Sequence, residues 1–124
     1  MKKRILVVDD EAGLTHMVKR GLEATGKFVV MEENEGGRAV AVAREFKPDL
    51  VILDVMMPEV DGATVAAELA ETKDLKHVPV IFLTAIITSQ ETEPTGSYIG
   101  SHTFLAKPVQ LKNLISCIDK HIGA

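Results

Sequence analysis

Four short runs of strong β-formers each end on a polar residue. Ile5-Leu6-Val7-Val8 runs into Asp9-Asp10, Leu50-Val51-Ile52-Leu53 into Asp54, Val80-Ile81-Phe82-Leu83 into Thr84, and Phe104-Leu105-Ala106 into Lys107. Continuous apolar runs of this length are strands buried on both faces, as in a parallel sheet covered by helices. Between them apolar positions recur at helical spacing. Leu14, Met17, Val18 and Leu22 predict a first helix with Gly26 as its stop, and Phe28–Met31 a short second strand. A helix over Ala39–Phe46 ends at Lys47-Pro48, because proline disfavours helical geometry in the residue before it. Pro58 and Asp61-Gly62 mark a loop before a helix over Ala63–Glu71, and Leu111, Leu114, Ile115, Ile118 and Ile122 form an amphipathic last helix.

One stretch breaks this rhythm. Between Thr84 and Phe104, where a fourth helix belongs, stand Pro94, Gly96 and Gly100. Interior proline costs a helix about 3 kcal/mol and glycine about 1 relative to alanine, so any helix here is expected to be short, displaced or frayed. Strand–helix alternation with right-handed crossovers gives an α/β, doubly wound sheet. Five strands fit the flavodoxin-like order 2-1-3-4-5, in which the ligand site lies outside the carboxyl ends of the strands. That order makes strands 1 and 3 neighbours, so Asp9, Asp10 and Asp54 share one crevice with Thr84 and Lys107 on its other side.

Composition narrows the class. The 124 residues are 46% apolar with 4 Phe, 1 Tyr and no Trp, so aliphatic side chains build the core of one expected domain, 1–124, with no output domain attached. A net charge of −4 argues against a nucleic-acid binder, and Lys2-Lys3-Arg4 reads as a solvated terminus. No apolar stretch approaches the ~20 residues of a membrane span, and Ile5–Val8 is too short for the core of a signal peptide. A cytoplasmic location is expected. The single cysteine, Cys117, has no disulfide partner and falls within the periodic last helix, where it fills space.

The carboxylates are the unusual feature. At about 4–5 Å two of them repel by roughly 1 kcal/mol in water and about 4 at the effective dielectric of a partly buried site. A divalent cation explains their tolerance, and hard oxygen ligands favour Mg²⁺, with Mn²⁺ as the alternative. One carboxylate can then serve as a nucleophile, with metal and Lys107 neutralising a phosphoryl group and Thr84 donating to one of its oxygens. Taken singly, these residues are ordinary: Asp9-Asp10 could cap a helix and Asp54 could form a turn. Their conjunction at four strand ends is not. His16, His77, His102 and His121 share no ligand spacing.

The segments Val-Val-Asp9-Asp10-Glu11, Pro-Asp-Leu-Val-Ile-Leu-Asp54-Val-Met-Met-Pro-Glu-Val-Asp-Gly62, Pro-Val-Ile-Phe-Leu-Thr84-Ala85 and Lys107-Pro108 resemble those of response-regulator receiver domains over essentially the whole chain. The resemblance implies Asp54 as phosphoacceptor, with Asp9, Asp10, Asp54 and the Met56 backbone carbonyl holding Mg²⁺. It implies Lys107 beside the phosphoryl group with a cis Lys107–Pro108 bond, and Thr84 and Phe104 as switch residues. The phosphoryl donor would be a histidine kinase or histidine phosphotransfer protein, or acetyl phosphate. The output would be a changed surface of helix 4, strand 5 and helix 5, read by a downstream protein. The chain would be a monomer, with phosphorylation-dependent dimerisation the alternative. Met56 and Ile86 would border the path of hydrolytic water, and both are apolar, so slow autodephosphorylation is expected.

Three other readings compete. A phosphorylation-independent interaction module on the same fold would use the Ser89–Thr103 segment. A phosphatase needs a second aspartate two residues after the nucleophile, where this chain has Met56. A flavin carrier needs a phosphate loop rich in Ser, Thr and Gly, where this chain has Asp-Asp-Glu. The expectation is a signalling receiver rather than a turnover enzyme.

Overall fold

The computed structural model describes residues 2–85, 97–99 and 102–123, with the backbone alone at 97–99 and 102. Strands β1 (Lys3–Val8), β2 (Phe28–Glu33), β3 (Leu50–Asp54) and β4 (Val80–Thr84) alternate with helices α1 (Ala12–Glu23), α2 (Ala39–Phe46) and α3 (Gly62–Glu71). Two strands, β5 (Ser97–Ile99) and β6 (His102–Ala106), precede the last helix, α4 (Leu111–Ile122). The sheet order is β2-β1-β3-β4-β6-β5. The first five of these are mutually parallel, and they reproduce the expected 2-1-3-4-5 order with β6 as the fifth strand.

The sixth strand has no counterpart in the sequence pattern. β5 pairs antiparallel with β6, Ser97 opposite Phe104 and Ile99 opposite His102, and forms one edge of the sheet. Gly96 and Gly100, which the pattern marks as helix breakers, flank this strand. Of the span between Thr84 and Phe104, where an irregular fourth helix is expected, Ser97–Ile99 and 102–103 are strand instead, and residues 86–96, 100 and 101 lie outside the described residues.

Period-two alternation sorts the strand residues onto two cores even though nearly every position is apolar. Ile5, Val7, Leu50, Ile52, Ile81, Leu83 and Leu105 face α1 and α4, meeting Val18, Leu22, Leu114 and Ile118. Leu6, Val8, Val51, Leu53 and Phe82 face α2 and α3, meeting Ala43, Phe46, Val65 and Leu69. Truncating one of these fully buried leucines to alanine costs about 2–5 kcal/mol.

Local chemistry fixes the helix ends nearest the site. Asp61 accepts a hydrogen bond from the Thr64 N–H at 2.7 Å and so caps α3. That bond holds the Asp61 carboxyl below its usual range. Helix α2 stops where expected: Lys47 adopts a left-handed conformation at φ 55° and its N–H bonds the Ala43 carbonyl at 2.8 Å. Helix α1 ends at Glu23, three residues before the turn at Gly26, whose φ of 79° suits glycine.

Candidate phosphoryl-transfer site

The carboxyl ends of β1, β3, β4 and β6 lie side by side, and their polar residues gather there. Val8 pairs with Leu53, Asp54 with Leu83 and Thr84 with Ala106, so Asp9, Asp54, Thr84 and Lys107 terminate adjacent strands at nearly one level. Asp9 is fully buried, Asp54 and Thr84 nearly so, and Asp10 is exposed. One carboxylate oxygen from each of Asp9, Asp10 and Asp54 lies within 4.8 Å of the others.

Lys107 Nζ reaches into this cluster. It stands 2.9 Å from Asp9 Oδ2, 3.1 Å from Glu11 Oε1 and 3.2 Å from Asp54 Oδ1. Two backbone features anchor the lysine: its N–H donates to the Thr84 carbonyl at 2.9 Å, and the Lys107–Pro108 bond is cis, as expected. Asp9 is fixed by the Glu11 N–H, which donates to its Oδ1 at 3.0 Å. Asn34 supports the same loop, giving its amide protons to the Asp9 carbonyl and to Thr15 Oγ1.

The electrostatics are unbalanced. Four carboxylates, of Asp9, Asp10, Glu11 and Asp54, face one ammonium. Burial pushes the Asp9 carboxyl above its ordinary pKa despite the Glu11 N–H and Lys107. Burial also raises Asp54, and the neighbouring Asp9 charge adds to the effect. At Lys107 burial is the largest single influence and acts downward, but contacts with Asp9 and Glu11 and the two aspartate charges together outweigh it. The ammonium is therefore held above its ordinary value. Two buried carboxyls that resist ionisation in this way, Asp9 and Asp54, lack positive charge beside them.

The donor set fits a hard divalent cation. Asp9 Oδ2 is buried, with the Lys107 ammonium beside it at 2.9 Å. A buried carboxylate oxygen next to two further carboxylates is an all-oxygen ligand set of the kind Mg²⁺ takes, completed by water and substrate phosphate. The Met56 N–H lies 3.4 Å from Asp54 Oδ1, and the Met56 side chain is 66% exposed at the mouth of the site.

The structure thus brings Asp9, Asp10, Asp54 and Lys107 together, with Thr84 at the end of the strand between Asp54 and Lys107. Phe104 stands one strand away from Phe82 in direct register and stacks on it, the ring centroids 5.0 Å apart. By alternation Thr84 and Phe104 face the same side of the sheet. Ile86 lies outside the described residues. Of the histidines, His121 is engaged by Thr103 Oγ1 and the Cys117 carbonyl, and His16 faces Glu32. Glu11 carries no role in the sequence reading. Its place directly after Asp9-Asp10 is the available signal, but its contact with Lys107 spans 96 positions.

Residues 5–119 match the family model of the response regulator receiver domain. The polar-differentiation response regulator DivK of Brucella anthropi is 30% identical over 123 residues, which cover 99% of this chain and 98% of that protein. The chemotaxis response regulator CheY4 of Vibrio cholerae superposes with a TM-score of 0.82 at 26% identity, covering 98% of this chain and 100% of that one. The signal receiver domain of a signal transduction histidine kinase from Syntrophus aciditrophicus gives 0.79 at 30% identity, covering 98% and 90%. No helix among the described residues is long and apolar enough to cross a membrane.

Proposed function

The chain belongs to the response regulator receiver domain family, and from that premise we propose that it accepts a phosphoryl group on Asp54 from a histidine kinase or histidine phosphotransfer protein. The observation that carries this reading is the Lys107 ammonium held 3.2 Å from Oδ1 of the buried Asp54, in a carboxylate cluster short of positive charge.

The transfer is a displacement at phosphorus. An Asp54 carboxylate oxygen forms the new O–P bond as the P–N bond to the donor imidazole breaks. The electron pair of that bond stays on the imidazole nitrogen, which ends as neutral imidazole. Asp54 becomes an acyl phosphate carrying about two negative charges and strong acceptor oxygens. The Lys107 ammonium neutralises charge on the transferring group, and the Thr84 hydroxyl donates to one of its oxygens. Asp9, Asp10, Asp54 and the Met56 carbonyl would hold Mg²⁺, which supplies positive charge to the phosphoryl oxygens when bound. Because the group is received once per activation, the chain acts as a switch rather than as a turnover enzyme.

The signal follows from the same residues. Thr84 moving toward the phosphoryl group vacates space on the sheet face it shares with Phe104. The aromatic ring then leaves its stack on Phe82 and changes the surface beside β6 and α4, which a downstream protein reads. Moving such a balance from 1:99 to 99:1 takes about 5.5 kcal/mol. We place this switch in the cytoplasm, acting as a monomer.

Borohydride reduction followed by peptide mass spectrometry tests the assignment. An acyl phosphate at Asp54 is reduced at its carbonyl carbon, so residue 54 reads as homoserine. Reduction at any other carboxylate would contradict the proposal.

A further inference from the structure

Beside the carboxylate cluster a second cleft of about 200 Å³ opens between the loop after β2 and the loop after β3, sharing Asp10 with the site. Its walls are of two kinds. Met57 and Val60 supply apolar surface, while Asp10, Glu35 and Glu59 supply carboxylates. Asn34 also lines it, and both amide protons of Asn34 are already given to the Asp9 carbonyl and Thr15 Oγ1, leaving an acceptor oxygen. The polar side chains lining the cleft therefore offer acceptors only. Among the described residues no cation pairs with Asp10, Glu35 or Glu59.

We propose that this cleft receives a lysine or arginine side chain of the phosphodonor protein and orients it for transfer to Asp54; the inference rests on the phosphoacceptor reading above. Three features select that occupant. Arginine and lysine are donor-only groups, matching the three carboxylates and the Asn34 oxygen that line the cleft. Their aliphatic stems lie along apolar surface while the charged head meets carboxylates, as Met57 and Val60 beside Glu35 and Glu59 require. The volume falls below the roughly 300–1,000 Å³ of small-molecule pockets and suits a single side chain. Continuity through Asp10 places the occupant where a donor must already approach Asp54.

Charge complementarity of this kind governs association rate and partner choice more than the chemistry that follows. The test compares two donors on Glu35→Lys/Glu59→Lys and on wild type, with far-UV circular dichroism and thermal unfolding verifying the fold. The protein donor is the ATP-phosphorylated histidine kinase that labels wild type fastest in a panel, and the small donor is acetyl phosphate with Mg²⁺. The inference predicts that kinase transfer slows by roughly tenfold or more, with acetyl phosphate labelling changed less than twofold. It also predicts that added salt slows kinase transfer to wild type more than to the variant. Equal rates for both proteins with both donors would overturn the cleft assignment and leave Asp54 as phosphoacceptor. Equal slowing with both donors would also overturn it, the acids then acting on the site rather than on the donor. Failure of wild type with every donor would overturn both readings.

Discussion

Gly62 rests directly on the backbone of Asp54. A β-carbon at Gly62 would run into the Asp54 carbonyl oxygen and crowd Val55 Cα at 2.9 Å, and the Gly62 N–H donates to the Val55 carbonyl at 2.7 Å. The first residue of α3 thereby positions the main chain that carries the phosphoacceptor carboxylate.

Gly62→Ala is predicted to destabilise the fold despite its better helix propensity. Alanine gains about 1 kcal/mol in a helix interior, but overpacking costs about 1–3 kcal/mol, and toward the upper end where the obstacle is backbone. Urea unfolding should show a lower midpoint with the slope unchanged. A variant as stable as wild type would mean that the α3 start moves away from β3 freely.

Asp54→Asn should raise stability in EDTA, because burial and the Asp9 charge both oppose ionisation of Asp54. Thermal unfolding should rise by a few degrees, the mark of roughly 1 kcal/mol in a domain of this size. Added Mg²⁺ should then stabilise wild type more than the variant, by about 2.7 kcal/mol at one hundred times the dissociation constant for a full site. Equal Mg²⁺ responses would remove Asp54 from the cation site.

Much of the fold and of the site is legible in the chain's pattern of residues, and the limits are physical. The strand ends can be read because β1, β3 and β4 are unbroken apolar runs stopped by a charged or hydroxyl residue. Helix α2 can be bounded because Lys47-Pro48 stops it sharply. β5 cannot, since three residues are too few for a period and its flanking glycines equally suit a broken helix. Nor can the Lys107–Glu11 contact, which depends on how β1 and β6 are aligned across the sheet rather than on anything local.

The proposed switch has a direct optical readout. The chain lacks tryptophan, so Phe104→Trp introduces a single indole in place of the ring stacked on Phe82. Its emission should shift when Mg²⁺ and beryllium fluoride, a phosphoryl mimic, are added. The shift should vanish when Thr84→Ala is combined with it. A shift that survives the Thr84 change would break the coupling between the two residues.

Cys117 should be inert in the native state. Burial pushes its thiol from 9.0 up to about 11, which lowers the thiolate fraction at pH 8 by about a hundredfold. A folded pKa above the unfolded one favours the protonated thiol, so this contribution to stability is full below about pH 9 and is lost as pH rises toward 11. Ellman's reagent should react rapidly only after denaturation. Fast labelling of the native chain would show that α4 opens readily.

The central claim is that Asp54 is chemically competent, and intact-protein mass tests it most directly. Wild type and Asp54→Asn are incubated with acetyl phosphate and Mg²⁺, with and without EDTA. The account predicts a gain of one phosphoryl group in wild type alone, abolished by EDTA and, with apolar Met56 at the mouth of the site, slow to decay. No gain with acetyl phosphate or with any phosphorylated kinase, or an equal gain in Asp54→Asn, would contradict it.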